Sequence, residues 1–82
     1  MRAAPELFVE WVDNEAVVLD PESGQVHYLN HSAAVVYASI LEHGFDAAMA
    51  ELERQHGRAA GFAEEMPVLL EELKEKGLLL DD

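Results

Sequence analysis

Eighty-two residues, half of them apolar, suffice for one small core and not for two, so the chain reads as one domain. Seventeen acidic residues against five basic ones give a net charge of −12, which excludes the Lys- and Arg-rich surface from which nucleic-acid binders draw most of their non-specific affinity. With no cysteine, disulfides and thiolate metal sites are excluded, and no stretch approaches the roughly 18 uncharged apolar residues of a membrane span. No basic start followed by an apolar run marks a signal peptide, so a cytoplasmic setting is expected.

Residues 1–6 carry no periodicity and read as a flexible N-terminal arm, leaving 7–80 as the domain. Leu7 to Val12 is rich in β-branched and aromatic residues, with Leu7, Val9 and Trp11 on one face and Phe8, Glu10 and Val12 on the other; it reads as a strand. Asp13-Asn14-Glu15 is a polar turn, Ala16 to Asp20 a second strand, and Pro21-Glu22-Ser23-Gly24 a second turn. Gln25 to Leu29 follows as a third strand. Turns this short predict an antiparallel meander ordered one, two, three, with the third strand at an edge.

Asn30 and Ser32 both suit a helix N-cap, and Ala33, Val36, Tyr37, Ile40 and Leu41 recur at the spacing of one helical face. Gly44 is the expected stop. Asp46 can cap a second helix carrying Met49, Leu52 and His56 on one face and closed by Gly57. Residues 58–61 connect to a last helix, from Phe62 or Ala63 to Lys76, with Met66, Leu69, Leu70 and Leu73 inward and Glu64, Glu65, Glu71, Glu72 and Glu75 largely outward. Pro67 predicts a first-turn irregularity, because it disfavours helical geometry at Met66. Gly77 stops this helix, Leu78 to Leu80 fold back on the core or extend the sheet, and Asp81-Asp82 is solvated. Three strands followed by three helices make an α+β layer arrangement.

Several of these segments together resemble the PqqD-like family. Leu29-Asn30-His31-Ser32-Ala33-Ala34, followed by a helix with an aromatic at Tyr37, is similar to that family's Leu-Asn-x-Thr-Ala junction. Glu65-Met66, Leu69-Leu70, Leu73 and Gly77-Leu78-Leu79 match the pattern of its last helix, and Met49, Leu52, His56 and Gly57 its middle helix, where Tyr-Gly is commoner than His56-Gly57. The resemblance spans roughly residues 7–80 and implies a winged-helix-like fold and a RiPP precursor recognition element. Such a domain is a non-catalytic adaptor that binds the leader of a ribosomally made precursor peptide and presents it to a modifying enzyme, such as a radical-SAM enzyme, a cyclodehydratase or a leader peptidase. In the family the leader adds as a strand to the third strand, in a groove against the last helix. By position this nominates Gln25, Val26, His27, Tyr28 and Leu29 for pairing, and Glu65, Leu69, Glu72, Leu73 and Lys76 for the groove wall. No cofactor is implied.

The residues point the same way. An edge strand is usually guarded by Lys, Pro or a bulge, and Gln25 to Leu29 has none, so it invites strand addition. Replacing His27 by Pro would remove a backbone donor and abolish binding if that amide faces the ligand. Two other readings compete: a winged-helix DNA-binding regulator, opposed by the acidic last helix, and a homodimer formed through the sheet. An enzyme is not expected, since Ser23, Ser32 and Ser39 occupy turn, cap and helix positions with no His placed to activate them. The four His residues lack a completing carboxylate set, so no metal site is expected. Trp11 reads as core or a dimer contact before a ligand platform.

Overall fold

The computed structural model describes residues 1–59 and 61–81; the expectations for Ala60 and Asp82 lie outside them. In chain order the elements are β1 (Arg2–Ala3), β2 (Phe8–Val12), β3 (Glu15–Asp20), β4 (Gln25–Leu29), α1 (His31–His43), α2 (Phe45–His56), α3 (Phe62–Glu75) and β5 (Leu79–Leu80). β2, β3 and β4 form the antiparallel meander that the sequence predicts, followed by three helices: an α+β fold.

Each turn has a local cause. Val12 pairs with Glu15 across a two-residue turn in which Asp13 takes φ 55°, a conformation that Asp tolerates better than most side chains. At the next turn the Gly24 amide donates to the Asp20 carbonyl at 2.8 Å, with Gly24 at φ 75°. The Asp20 carboxylate gathers the loop, accepting from the Glu22 amide at 3.0 Å. Its pKa is lowered, first by a hydrogen bond with the Ser23 hydroxyl and then by the loop amides.

The inner face of the sheet presents Ala16, Val18 and Leu29, which cluster with Ala34, Tyr37 and Ile40 of α1 and with Leu73, Leu78 and Leu79. The outer face has no such cover: Phe8 and Val26 are each 63% exposed and Leu19, between them in register, is 38% exposed.

Several expectations need adjustment. The arm at 1–6 is tied down: Arg2–Ala3 pairs antiparallel with Leu79–Leu80, and the Ala4 amide donates to the Leu78 carbonyl at 2.9 Å. The sequence hides this because two residues are too few for a period. In α1 the Asn30 side chain is the cap, accepting from the Ala33 amide at 3.0 Å, whereas Leu41 points outward and Ala34 takes the inward place. Asp46 does not cap α2. Gly44, at φ 84°, turns the chain so sharply that Phe45 is already helical, leaving Asp46 in the first turn, where a carboxylate favours the helix dipole. α3 runs through Pro67 without interruption. Pro67 is its sixth residue, so the missing amide costs one bond near the start and the inward stripe holds the helix together.

The C-terminus of α3 carries a Schellman motif. The Leu78 amide donates to the Leu73 carbonyl at 2.9 Å and the Gly77 amide to the Lys74 carbonyl at 3.0 Å, with Gly77 at φ 78°. Leu73 and Leu78, the pair that brackets the motif, are each 1% exposed. Nothing lies within 4 Å of where a Gly77 Cβ would stand. Gly77→Ala is therefore expected to cost only the left-handed backbone penalty, about 1–2 kcal/mol in denaturant unfolding. Tyr37 is fully buried, its pKa pushed up by desolvation, and its hydroxyl has no hydrogen-bond partner among the described residues. Tyr37→Phe should leave stability unchanged or raise it by about 1 kcal/mol, whereas Leu73→Ala should lose about 2–5 kcal/mol.

Candidate functional site

The direction of every backbone group in the meander follows from its register. Residues flanking a two-residue hairpin turn form a hydrogen-bonded pair, and such pairs alternate along an antiparallel ladder. Val12↔Glu15 is that pair here, so Glu15, Val17 and Leu19 bond to β2 and Ala16, Val18 and Asp20 bond to β4. Hence Gln25, His27 and Leu29 direct their backbone groups to β3, while those of Val26 and Tyr28 face away from the sheet. The His27 amide thus points inward, because the side-chain period alone does not say which parity of the strand bonds its neighbour.

Side chains follow the same alternation. Val26 and Tyr28 lie on the outer face, 63% and 59% exposed, while Leu29 is buried in the core and His27 is half-buried beside it. Gln25 is exposed at the turn, its amide donating to the Ser23 hydroxyl at 3.2 Å. The Tyr28 phenol has a raised pKa because its hydroxyl bonds the Glu15 carboxylate one row away. No Lys, Pro or bulge guards β4.

α3 packs along β5, and β4 along β3 and α1, rather than α3 and β4 along each other. Glu65, Leu69, Glu72 and Lys76 form a stripe down α3, in which Leu69 is half-buried and the other three are exposed. Leu73 lies off this stripe, with its side chain in the core at 1% exposure. Glu65 and Leu69, two of the residues nominated from the sequence for the groove wall, border a space that the sequence did not otherwise indicate. Beyond Leu29, a cavity of about 320 Å³ opens between His31, Ser32 and Val35 of α1, Leu52 and His56 of α2, and Phe62, Glu65, Met66 and Leu69 of α3. Its signal in the sequence was faint: Val35 sits on the polar side of α1, an apolar residue out of phase.

Val35 and Leu52 also border a shallower hollow beside Trp11, Glu42 and Glu51. Trp11 is thus neither core nor fully free; it is 49% exposed, against α1. The local charges are largely engaged: Glu51 is bonded to Arg54 and Gln55, and Lys74 to Asp81 at 2.6 Å. Among the described residues no group of three His, Cys, Asp or Glu could hold a metal ion, and no helix is long and apolar enough to cross a membrane.

A meander whose unguarded β4 edge leads, through Asn30, to an apolar cavity is the architecture of a binding module. Consistently, the family model described as coenzyme PQQ synthesis protein D (PqqD) matches residues 15–79, from the start of β3 to the first residue of β5, and the chain belongs to that family. Its members are non-catalytic accessory proteins, peptide-binding partners in RiPP biosynthesis. Among curated proteins and among solved structures, nothing matches the chain.

The backbone parity separates three proline variants. Val26→Pro and Tyr28→Pro remove amides that face away from the sheet, and each should keep the native circular dichroism and the amide spectrum of the helices. His27→Pro removes a donor to β3 and should cost about 3 kcal/mol or more in stability.

Proposed function

We propose that this chain is a RiPP precursor recognition domain that binds a leader peptide by strand addition to β4, on the side of α3, and presents it to a modifying enzyme. The observation that carries this reading is the pair of outward-facing backbone groups at Val26 and Tyr28, on an edge with no protection. β2 also has an open side, but it is β4 that is followed, two residues past its end, by the wall of a cavity shared with α3. Backbone pairing would supply affinity and alternate side-chain positions specificity.

Parity also says what the added strand would meet. Residues of the peptide opposite Val26 and Tyr28 would lie on the outer face and extend the Phe8-Leu19-Val26 row, where apolar side chains pack. Those opposite His27 and Leu29 would face the helices. A net charge of −12 favours a peptide with Lys or Arg between its apolar anchors, with charge acting mainly on the rate of encounter. The same charge opposes a homodimer through the sheet face, because two copies would repel.

The test is a titration with the precursor peptide encoded beside this chain. Amides of Gln25 to Tyr28 and of the α3 stripe should shift, and Val26→Pro should abolish binding while the protein remains folded; shifts confined to residues 1–20 would overturn the assignment. Sedimentation without peptide should show a monomer. Raising salt from about 0.05 to 0.5 M should slow association markedly, since the Debye length contracts from roughly 14 to 4 Å; an unchanged rate would remove the electrostatic part of the proposal.

A further inference from the structure

The sheet has a second open edge, on β2, and its parity is the reverse of that on β4. Phe8, Glu10 and Val12 pair with Leu19, Val17 and Glu15, the residues through which β3 bonds β2, so Val9 and Trp11 turn their backbone groups away from the sheet. Among the described residues, no loop or helix backbone bonds to either of them. The strand runs without a Lys, a Pro or a bulge. On β4 the outward backbone groups belong to residues whose side chains lie on the outer face. On β2 they belong to Val9 and Trp11, whose side chains lie on the helical face. A strand added to β2 would therefore set the side chain opposite Trp11 into the hollow between the indole, Ser39 and Glu42 of α1, and Glu51 and Gln55 of α2.

This hollow is suited to a cation. Trp11 is 49% exposed, and an indole face attracts a guanidinium or ammonium group. Of the two carboxylates, Glu51 is already bonded to Arg54 and Gln55. Among the described residues Glu42 meets only the neighbouring His43 ring, at 3.9 Å, and its side chain is 76% exposed, so its oxygens have room for a donor. An arginine matches both features, since its planar fork stacks on an aromatic ring and pairs a carboxylate through two bonds.

We propose that the β2 edge and this hollow form a second docking surface, for an extended segment of the modifying enzyme that carries an Arg opposite Trp11. The owner of the segment rests on the proposed function: an adaptor that holds a peptide on β4 has to meet the enzyme elsewhere. β2 is the other edge of the same sheet, two strand spacings or about 10 Å from β4, so both edges can be occupied together. The chemistry of the segment rests on Trp11 and Glu42 alone. Trp11 precedes the residues 15–79 that the family model matches, so family membership does not assign it a role. A net charge of −12 favours a cationic occupant over a second copy of this chain.

The probe is the acetylated, amidated peptide Thr-Val-Thr-Arg-Thr-Val-Thr, whose Val and Arg side chains share one face of a strand. It is titrated into the full chain and into Val26→Pro, in which the β4 edge is blocked, beside versions with citrulline or Glu in place of Arg, and followed by amide NMR. In both proteins the Arg peptide should shift the Val9 and Trp11 amides and the Trp11 indole N–H, and should bind more tightly than the citrulline peptide, with the Glu peptide weakest. Trp11→Leu and Glu42→Gln change exposed side chains, should keep the fold, and should each weaken the Arg peptide about two- to fivefold. The modifying enzyme encoded beside this chain, added to the precursor-loaded protein, should shift the same amides and lose affinity with both variants. Loss of the Arg-peptide shifts in Val26→Pro, equal binding of the citrulline peptide, indifference to either variant, or an enzyme that leaves the Val9 and Trp11 amides unmoved would overturn the proposal. The two readings fail separately. Val26→Pro should abolish precursor binding and keep the Arg-peptide response, whereas Trp11→Leu should do the reverse; Arg-peptide binding at β2 with no precursor shift at β4 would count against strand addition alone.

Discussion

The structure depends on β3 spending its backbone on both neighbours. As the middle strand, it bonds β2 through Glu15, Val17 and Leu19 and β4 through Ala16, Val18 and Asp20, and the same parity sends Ala16 and Val18 into the core with no exposed surface. One register thus sets burial, pairing and vacancy together. A slip of one residue would turn the inner face outward. What remains open is determined by this commitment: on β4, only Val26 and Tyr28 are left facing outward.

The helical layer is held against the sheet by a closure at its far end. The Schellman turn at Gly77 reverses the chain and buries Leu78 and Leu79, and the two residues of β5 then clasp β1. The clasp joins the two ends of the described chain, so α3 is anchored through β5 rather than along β4. A small protein with one modest core gains rigidity from such a tie, since loose termini are where opening begins.

Charge and apolar surface are divided in a manner that suits a peptide partner. The molecule is acidic throughout, but the outer sheet face carries Phe8, Leu19, Val26 and Tyr28, and the cavity past Leu29 has an apolar floor. An acidic shell keeps copies apart and draws cationic partners near; the apolar row and the cavity then provide contacts that salt does not screen. Membership of the PqqD family, whose members partner peptides, agrees with this division.

Much of this was legible without coordinates. The chain alone determined the meander, the stops at Gly44 and Gly77, the inward stripe of α3 and the edge position of β4, because turn chemistry, capping and side-chain period are local properties written in neighbouring residues. Tertiary structure decided the rest. The β1–β5 clasp pairs residues nearly the whole chain apart, and two-residue strands carry no period. Leu73, inward by spacing but nominated by family position for the groove wall, lies in the core, since a helix's rotation about its own axis is set by what it packs on. Which backbone groups of β4 face outward, Val26 and Tyr28 rather than His27, came only from the register, because alternation in a sequence distinguishes two faces of a strand but not its two edges. The cavity was legible least of all: its walls come from three helices, and an empty space between elements has no residues of its own.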